Sequence, residues 1–319
     1  MAVVFLYNAE IKEQFLATLV ETSRNNLRWR FIQIANALET PLRKDVLEAT
    51  LPELREGFSA FCFTDVQSSR TALSWFRAYN RWAHETSQPF AFTDALEVFD
   101  ERVDVDYTAG IRASILPTPE VLVEKVTRMY AIDEGYEVLP ALILAWLGFS
   151  SPAEALKVRN TDLDFTHHQL LLPDGSVYPY DIPEVFWEPL EVYANTEEAV
   201  RYKLNAQRVT PVNHGFFIKK FKTENATAGI GLYTAASLSK RIGDLLDKAS
   251  QAFHDDTVIN FTTVFKSGVF YRLYQYELSG ADLYAKENKD KVLSIANKKS
   301  FKDVMTVYEA YRAVFYPRS

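Results

Sequence analysis

Apolar residues recur at helical spacing through much of the chain. In Glu10–Val20 they fall at Ile11, Phe15, Leu16, Leu19 and Val20, the stripe of an amphipathic helix. Asn26–Leu38 repeats the pattern, and Pro41 is expected to end it. Asp45–Leu54 and Ser68–His84 supply two more helices, the second with Ser68 and Ser69 as candidate N-caps. Four short helices with little strand signal predict a compact helical domain over residues 1–88. Between 89 and 119 the periodicity fades. Pro89, Pro117, Pro119 and many acids read there as a linker with one helical turn in it.

A second domain is expected over 120–319. Glu120–Glu134 and Val138–Phe149 open it as helices. The latter is apolar all round but only about a dozen residues long, too short to cross a bilayer. It reads as a buried helix. Then the period changes. Leu163–Phe165, Gln169–Leu172 and Val177–Ile182, with Pro173-Asp174-Gly175 as turn chemistry, predict a small antiparallel sheet. Helices return at Pro183–Ala194, Ser237–Phe253, Thr262–Leu278, Ala281–Ala296 and Ser300–Phe315. The expected fold class is mainly α with a small antiparallel sheet.

Composition narrows the options. With 48% hydrophobic and 24% charged residues, the 319-residue chain has apolar surface for two cores. The single cysteine, Cys62, lies in the apolar run Phe58–Phe63 and reads as a buried structural thiol. One thiol makes no internal disulfide, so the cytoplasm is the expected compartment. Met1–Tyr7 is too short and lacks the basic start of an export signal. The net charge of −7 is unevenly spread: residues 1–93 balance, 94–200 carry −15 and 201–319 carry +8. Such asymmetry permits an anion-binding face on an acidic protein.

Several chemistries lack their residues. No Gly-rich phosphate loop and no Gly-x-Ser-x-Gly elbow is present. Adjacent His167 and His168 would point to opposite faces of a strand and could not chelate one metal together. Asp100, Glu101, Asp104 and Asp106 lack a calcium-loop pattern and read as a solvated acidic linker. No metal and no cofactor is expected.

The order of elements resembles that of tyrosine recombinases, the phage-integrase fold. Leu139–Phe165 is similar to that family's first catalytic box through Gly148-Phe149, Glu154-Ala155-Leu156 and Asp162-Leu163-Asp164. Lys266–Leu283 resembles the second box, where a His-x-x-Arg motif opens a helix, and Ala296–Tyr311 resembles the closing segment, with Tyr308 at the nucleophile's position. Residues 10–85, above all Ser69–Trp82, resemble the core-binding (SAM-like) domain.

The departures carry information. On this resemblance the first arginine falls at Ser150 or Ser151, the histidine at Thr263, the second arginine at Lys266 and the later histidine near Lys298 or Lys299. The hairpin lysine has no equivalent in Gln169–Ile182. Losing one preorganised donor costs roughly two to three orders of magnitude in rate, so these vestigial positions imply no strand cleavage. In this respect the chain resembles the catalytically inactive master-repressor (MrpR) family of SPβ-like phages. Asn8–Leu16, Lys44-Asp45 before Leu51–Leu54, and Lys266–Tyr271 carry that likeness. It implies a DNA-binding regulator of lysogeny.

Phosphate contacts need Lys and Arg on one face. The candidates are Arg70, Arg77 and Arg81 on the Ser69–Trp82 helix, Lys219, Lys220 and Lys222, Lys240 and Arg241, Lys266 and Arg272, and Lys298, Lys299 and Lys302. Core-binding domains of the resembled family place a helix of this kind in the major groove. Double-stranded DNA is the expected partner and no membrane is. A homodimer and a protein or peptide co-regulator stay open. So do two rival readings: a divergent recombinase that cuts through Tyr308 with Lys266, Arg272 and Lys299 as donors, and a protein-interaction module that uses the acidic 94–200 stretch.

Overall fold

Capping side chains fix the first turns of several helices of this chain. A computed structural model describes residues 6–19, 21–88, 94–130, 135–172, 174–201, 207–212, 214–223, 231–254 and 257–317. Helix α1 (Ala9–Ala17) is followed by α2 (Glu21–Leu42), which accommodates Pro41 one residue from its end. The expected helix at Asp45–Leu54 is split. Asp45 caps a single 3-10 turn, Val46–Glu48, and Thr50 starts α3 (Leu51–Ala60) with Glu53 accepting from the Thr50 amide at 2.7 Å. Helix α4 (Val66–Glu85) is capped by Asp65, which accepts from the Ser68 amide at 2.7 Å, and not by Ser68 or Ser69. The expected linker holds two helices, α5 (Ala95–Val98) and α6 (Thr108–Ser114).

Beyond it come α7 (Pro119–Met129), α8 (Val138–Trp146) and α9 (Pro152–Ala155), then strands β1 (Leu163–Asp164) and β2 (Gln169–Leu170). Helix α10 (Trp187–Ala194) leads to β3 (Ala199–Arg201), β4 (Gln207–Pro211) and β5 (Phe221–Thr223). Helices α11 (Ala235–Phe253), α12 (Phe261–Leu278), α13 (Lys289–Ala296) and α14 (Phe301–Phe315) complete the described elements. Strands β1 and β2 pair antiparallel, Leu163 opposite Leu170, and a bridge from Leu171 to Val177 extends the pair. The three-stranded antiparallel sheet β3-β4-β5 was not expected. Its strands are three to five residues long, too short for alternation to show. The fold is thus mainly α with two small antiparallel sheets. No helix among the described residues is long and apolar enough to cross a membrane.

The chain forms two compact units, and they cut it differently from the expected 1–88 and 120–319. Residues 1–113 and 283–319 make unit 1; residues 114–282 make unit 2. In unit 1, Phe15, Phe31, Phe76 and Tyr79 form an aromatic centre with ring separations of 5.2 to 5.8 Å. Each such fully buried ring stabilises the unit by roughly 1.5–3 kcal/mol. Beside it lies a buried ion cluster. The Lys12 ammonium donates to Asp45 and to the Tyr7 carbonyl, and meets Glu39 at 2.8 Å with no side-chain exposure on any of the three charged partners. Burial lifts the Glu39 carboxyl to about 7, against the pull of Lys12.

In unit 2 the wholly buried α8 packs on α12. The two backbones meet so closely that a Cβ on Gly268 would lie 1.9 Å from the Trp146 carbonyl oxygen. Next to it, the buried Ser267 hydroxyl accepts from the Leu116 amide at 2.9 Å and donates to the Thr263 carbonyl at 2.8 Å. The 266–271 box therefore shapes the core.

Two expectations about single residues are corrected. Cys62 is exposed, because it occupies a left-handed turn (φ 60°) after α3 and not the helix interior. Glu101 and Asp104 are buried and not solvated, since Arg70 and Arg55 neutralise them at 2.6 and 2.7 Å.

Candidate nucleic-acid interface

Helix α4 has one apolar face and two differently used polar flanks. Ala72, Leu73, Phe76, Tyr79 and Ala83 face the core of unit 1. At 3.6 residues per turn, the opposite stripe runs through Gln67, Thr71, Ser74, Ala78 and Arg81. Gln67, Ser74 and Arg81 are exposed on it, and Thr71 and Ala78 half-buried. Between α2 and α4 a cleft of about 350 Å³ opens, lined among others by Arg30, Gln33, Gln67, Ser68, Thr71 and Trp75. Amide, hydroxyl and guanidinium groups thus share one accessible surface with an aromatic ring.

The other flank is committed inward. The Arg70 Nε donates to Glu101 at 2.6 Å, and its two Nη atoms grip Asp303 at 2.9 and 3.0 Å. Arg102 adds a bond to Asp303 at 2.7 Å. Burial alone would raise the Asp303 carboxyl, but the two guanidiniums outweigh it and hold it below the ordinary carboxylate range. This bridge fastens the first turn of α14 to α4. Arg77 caps α5 from the side, donating to the carbonyls of Leu96 at 2.8 Å, Glu97 at 3.2 Å and Phe99 at 2.8 Å. Of the three arginines expected on one stripe, Arg81 alone faces outward. The outward polar residues of α4 were missed, although the buried set of the helix points straight away from them.

The vestigial positions serve as caps and packing. Ser150 donates its amide and hydroxyl to Glu154 at 2.6 and 2.9 Å, and Ser151 is the N-cap of α9. Thr263 completes the capping box of α12 with Asn260 and donates to the Val258 carbonyl at 3.1 Å. Lys266 is half-buried on α12. These four belong to unit 2. Lys298, Lys299 and Tyr308 belong to unit 1. The two lysines are exposed in the turn before α14, while Tyr308 is buried at 2% exposure, stacked on Tyr311.

The remaining cations divide in the same way. Lys302 in α14, Lys222 on β5 and Lys240 on α11 are exposed. Lys219 is buried, donates to the Ala194 carbonyl at 3.1 Å and has its proton affinity lowered by that burial. Lys220 lies over the Tyr233 ring. Arg241 pairs with the fully buried Glu137 at 2.9 Å. Arg272 donates to the Trp146 carbonyl at the end of α8 and lies over the Tyr180 ring. Its Nε is buried without a partner, and burial lowers its proton affinity. Gly148, at φ 113°, turns the chain just beside this guanidinium. His167 bonds to Asp164 at 2.7 Å and His168 stacks on Trp187. No group of three His, Cys, Asp or Glu among the described residues could hold a metal ion.

Residues 6–85, which hold α1 to α4, are similar to one known domain family. They match the family described as MrpR, N-terminal core-binding domain. The chain is also similar to two solved structures. A XerA recombinase is 11% identical, with 97% of this chain and 99% of that chain covered at a TM-score of 0.38. An integrase from mycobacterium phage Brujita is 12% identical, with 98% and 92% covered at a TM-score of 0.33. No curated protein matches the chain.

Proposed function

We propose that this protein is a sequence-specific DNA-binding regulator, a repressor built on a tyrosine-recombinase-like fold that no longer cuts DNA. The observation that carries the reading is the accessible face of α4 and its cleft with α2, in a domain of MrpR type. Gln67 and Arg30 are long enough to reach base edges. Gln suits adenine and Arg suits guanine in the major groove. Ser68, Thr71 and Ser74 are short enough to let the helix backbone come close. Arg81 and the exposed Lys298, Lys299 and Lys302 of the same unit supply phosphate contacts, which fix position and most of the affinity.

Loss of cleavage has support in the same residues. The places of both arginines and the histidine are held by Ser150 or Ser151, Lys266 and Thr263, and the serines and threonine are spent on helix caps. No phosphate-binding fork or general acid of the usual kind remains there.

The test joins selection and trapping. The full chain is used to enrich binding duplexes from a random pool, and binding is then measured at about 50 and about 200 mM salt, where a phosphate-gripping protein loses affinity steeply. Nicked suicide versions of the enriched duplex are offered in parallel. The reading expects an enriched motif, a steep salt slope and no phosphotyrosyl adduct. An adduct that disappears in Tyr308→Phe would establish an active recombinase instead. Absence of DNA binding at both salts would favour the protein-interaction module.

A further inference from the structure

Unit 2 contains a second feature that DNA binding does not use. Where α7 and α11 diverge, a cavity of about 140 Å³ is closed by the segment carrying Thr257 and Ile259. Its floor is apolar: Met129 from α7, Leu246 and Ala249 from α11, and Ile259, all buried. Its rim carries Glu124, Lys125 and Arg128 from one face of α7. An apolar cavity of roughly 150 Å³ accepts a molecule the size of benzene, so the floor takes about four to six carbon atoms.

The charges at the rim are arranged unusually. Glu124 and Arg128 are one turn apart on α7, the spacing at which a Glu–Arg pair forms on a helix surface. No ion pair joins them among the described residues. Arg128 instead lies over the Phe253 ring, 4.4 Å from its centroid, and both line the cavity. Lys125 is drawn across to the Thr257 hydroxyl at 3.2 Å. One anion, Glu124, and two cations, Arg128 over the Phe253 ring and Lys125 at Thr257, thus stand above an apolar floor.

We propose that this cavity binds a small apolar α-amino acid with a branched aliphatic side chain. Its carboxylate meets Arg128, its ammonium meets Glu124, and its side chain lies on Met129, Leu246 and Ile259. A simple monocarboxylate would answer Arg128 but bring no cation to Glu124, whose neighbour Lys125 is engaged at Thr257. An alkylamine would answer Glu124 but bring no anion to Arg128. With Lys125 engaged at Thr257, a zwitterion of this size answers Glu124, Arg128 and the floor together.

Calorimetry and thermal unfolding of the full chain with L-leucine, isovalerate and isoamylamine test the assignment. L-leucine is expected to bind at least tenfold more tightly than either single-charge analogue and to raise the melting temperature. Arg128→Gln and Glu124→Gln should each weaken L-leucine at least tenfold. Glu124→Gln should leave isovalerate as it was or improve it. Both side chains are exposed, so the variants keep the fold, which the unliganded melting curve checks directly. Equal binding of isovalerate and L-leucine would overturn the proposal in favour of a monocarboxylate site. No binding of any of the three would overturn it altogether. Neither result bears on DNA binding, which is measured separately.

Discussion

Arg70 and Arg81 stand on one helix and face different worlds. Arg70 is gripped by Glu101 and Asp303 and helps fasten α14 to α4, while Arg81 projects into solvent. Unit 2 repeats the contrast with neighbouring residues, Arg241 pinned to buried Glu137 and Lys240 exposed. The difference lies in the partner. A cation beside a buried carboxylate is part of the scaffold, and its removal strands a charge. A cation without one is available to phosphate. Basic residues counted along a sequence mix the two kinds.

The comparison breaks most visibly at its buried extreme. Lys12→Met would leave Asp45 and Glu39 buried without their cation, so unit 1 should lose about 3–5 kcal/mol in denaturant unfolding. Next comes the bridge to α14. Asp303→Ala removes the acceptor of two partly exposed arginines and should cost about 1–3 kcal/mol, discounted for solvent screening. Arg81→Ala on the outward flank should stay within about 0.5 kcal/mol of wild type. A melting curve for each variant orders them.

On the outward face of α4, the proposed function expects Gln67→Ala to leave stability unchanged and relax sequence preference at one base pair by about 1–3 kcal/mol, seen by repeating the selection with the variant. A pH dependence gives a separate readout of the buried cluster. The Glu39 carboxyl titrates higher in the folded state than in the unfolded one, so the folded state keeps the extra proton. The stability linked to Glu39 is complete below about 4.5 and declines as pH rises to about 7. Glu39→Gln should flatten that part of the profile of unfolding free energy against pH.

Much of the scaffold was legible in the sequence. The apolar stripes of α1, α4, α11 and α12 lie close to where periodicity put them, because packing sets both. The short motifs that carried the family resemblance prove to be fold residues. Asn8, Lys12 and Asp45 build the buried ion cluster, and Ser267 and Gly268 seat α12 on α8. The candidate interface was read less well for the same reason in reverse. Arg70 finds Asp303 at a separation of 233 residues, and no local pattern announces such a partner. The outward stripe of α4 consists of Gln, Thr, Ser and Ala before it reaches Arg81, residues that a search for positive charge passes over. The three-stranded sheet escaped notice because its strands are too short to show a period.

The central claim is that outward cations of unit 1 grip phosphate while inward ones hold the fold. The salt dependence of DNA binding measures it most directly, comparing the full chain with a variant carrying Arg81→Ala, Lys298→Ala, Lys299→Ala and Lys302→Ala. The account predicts that the slope of log affinity against log salt becomes shallower by about 0.9 for each phosphate that is no longer neutralised, with the melting temperature unchanged. An identical slope in the two proteins would contradict it.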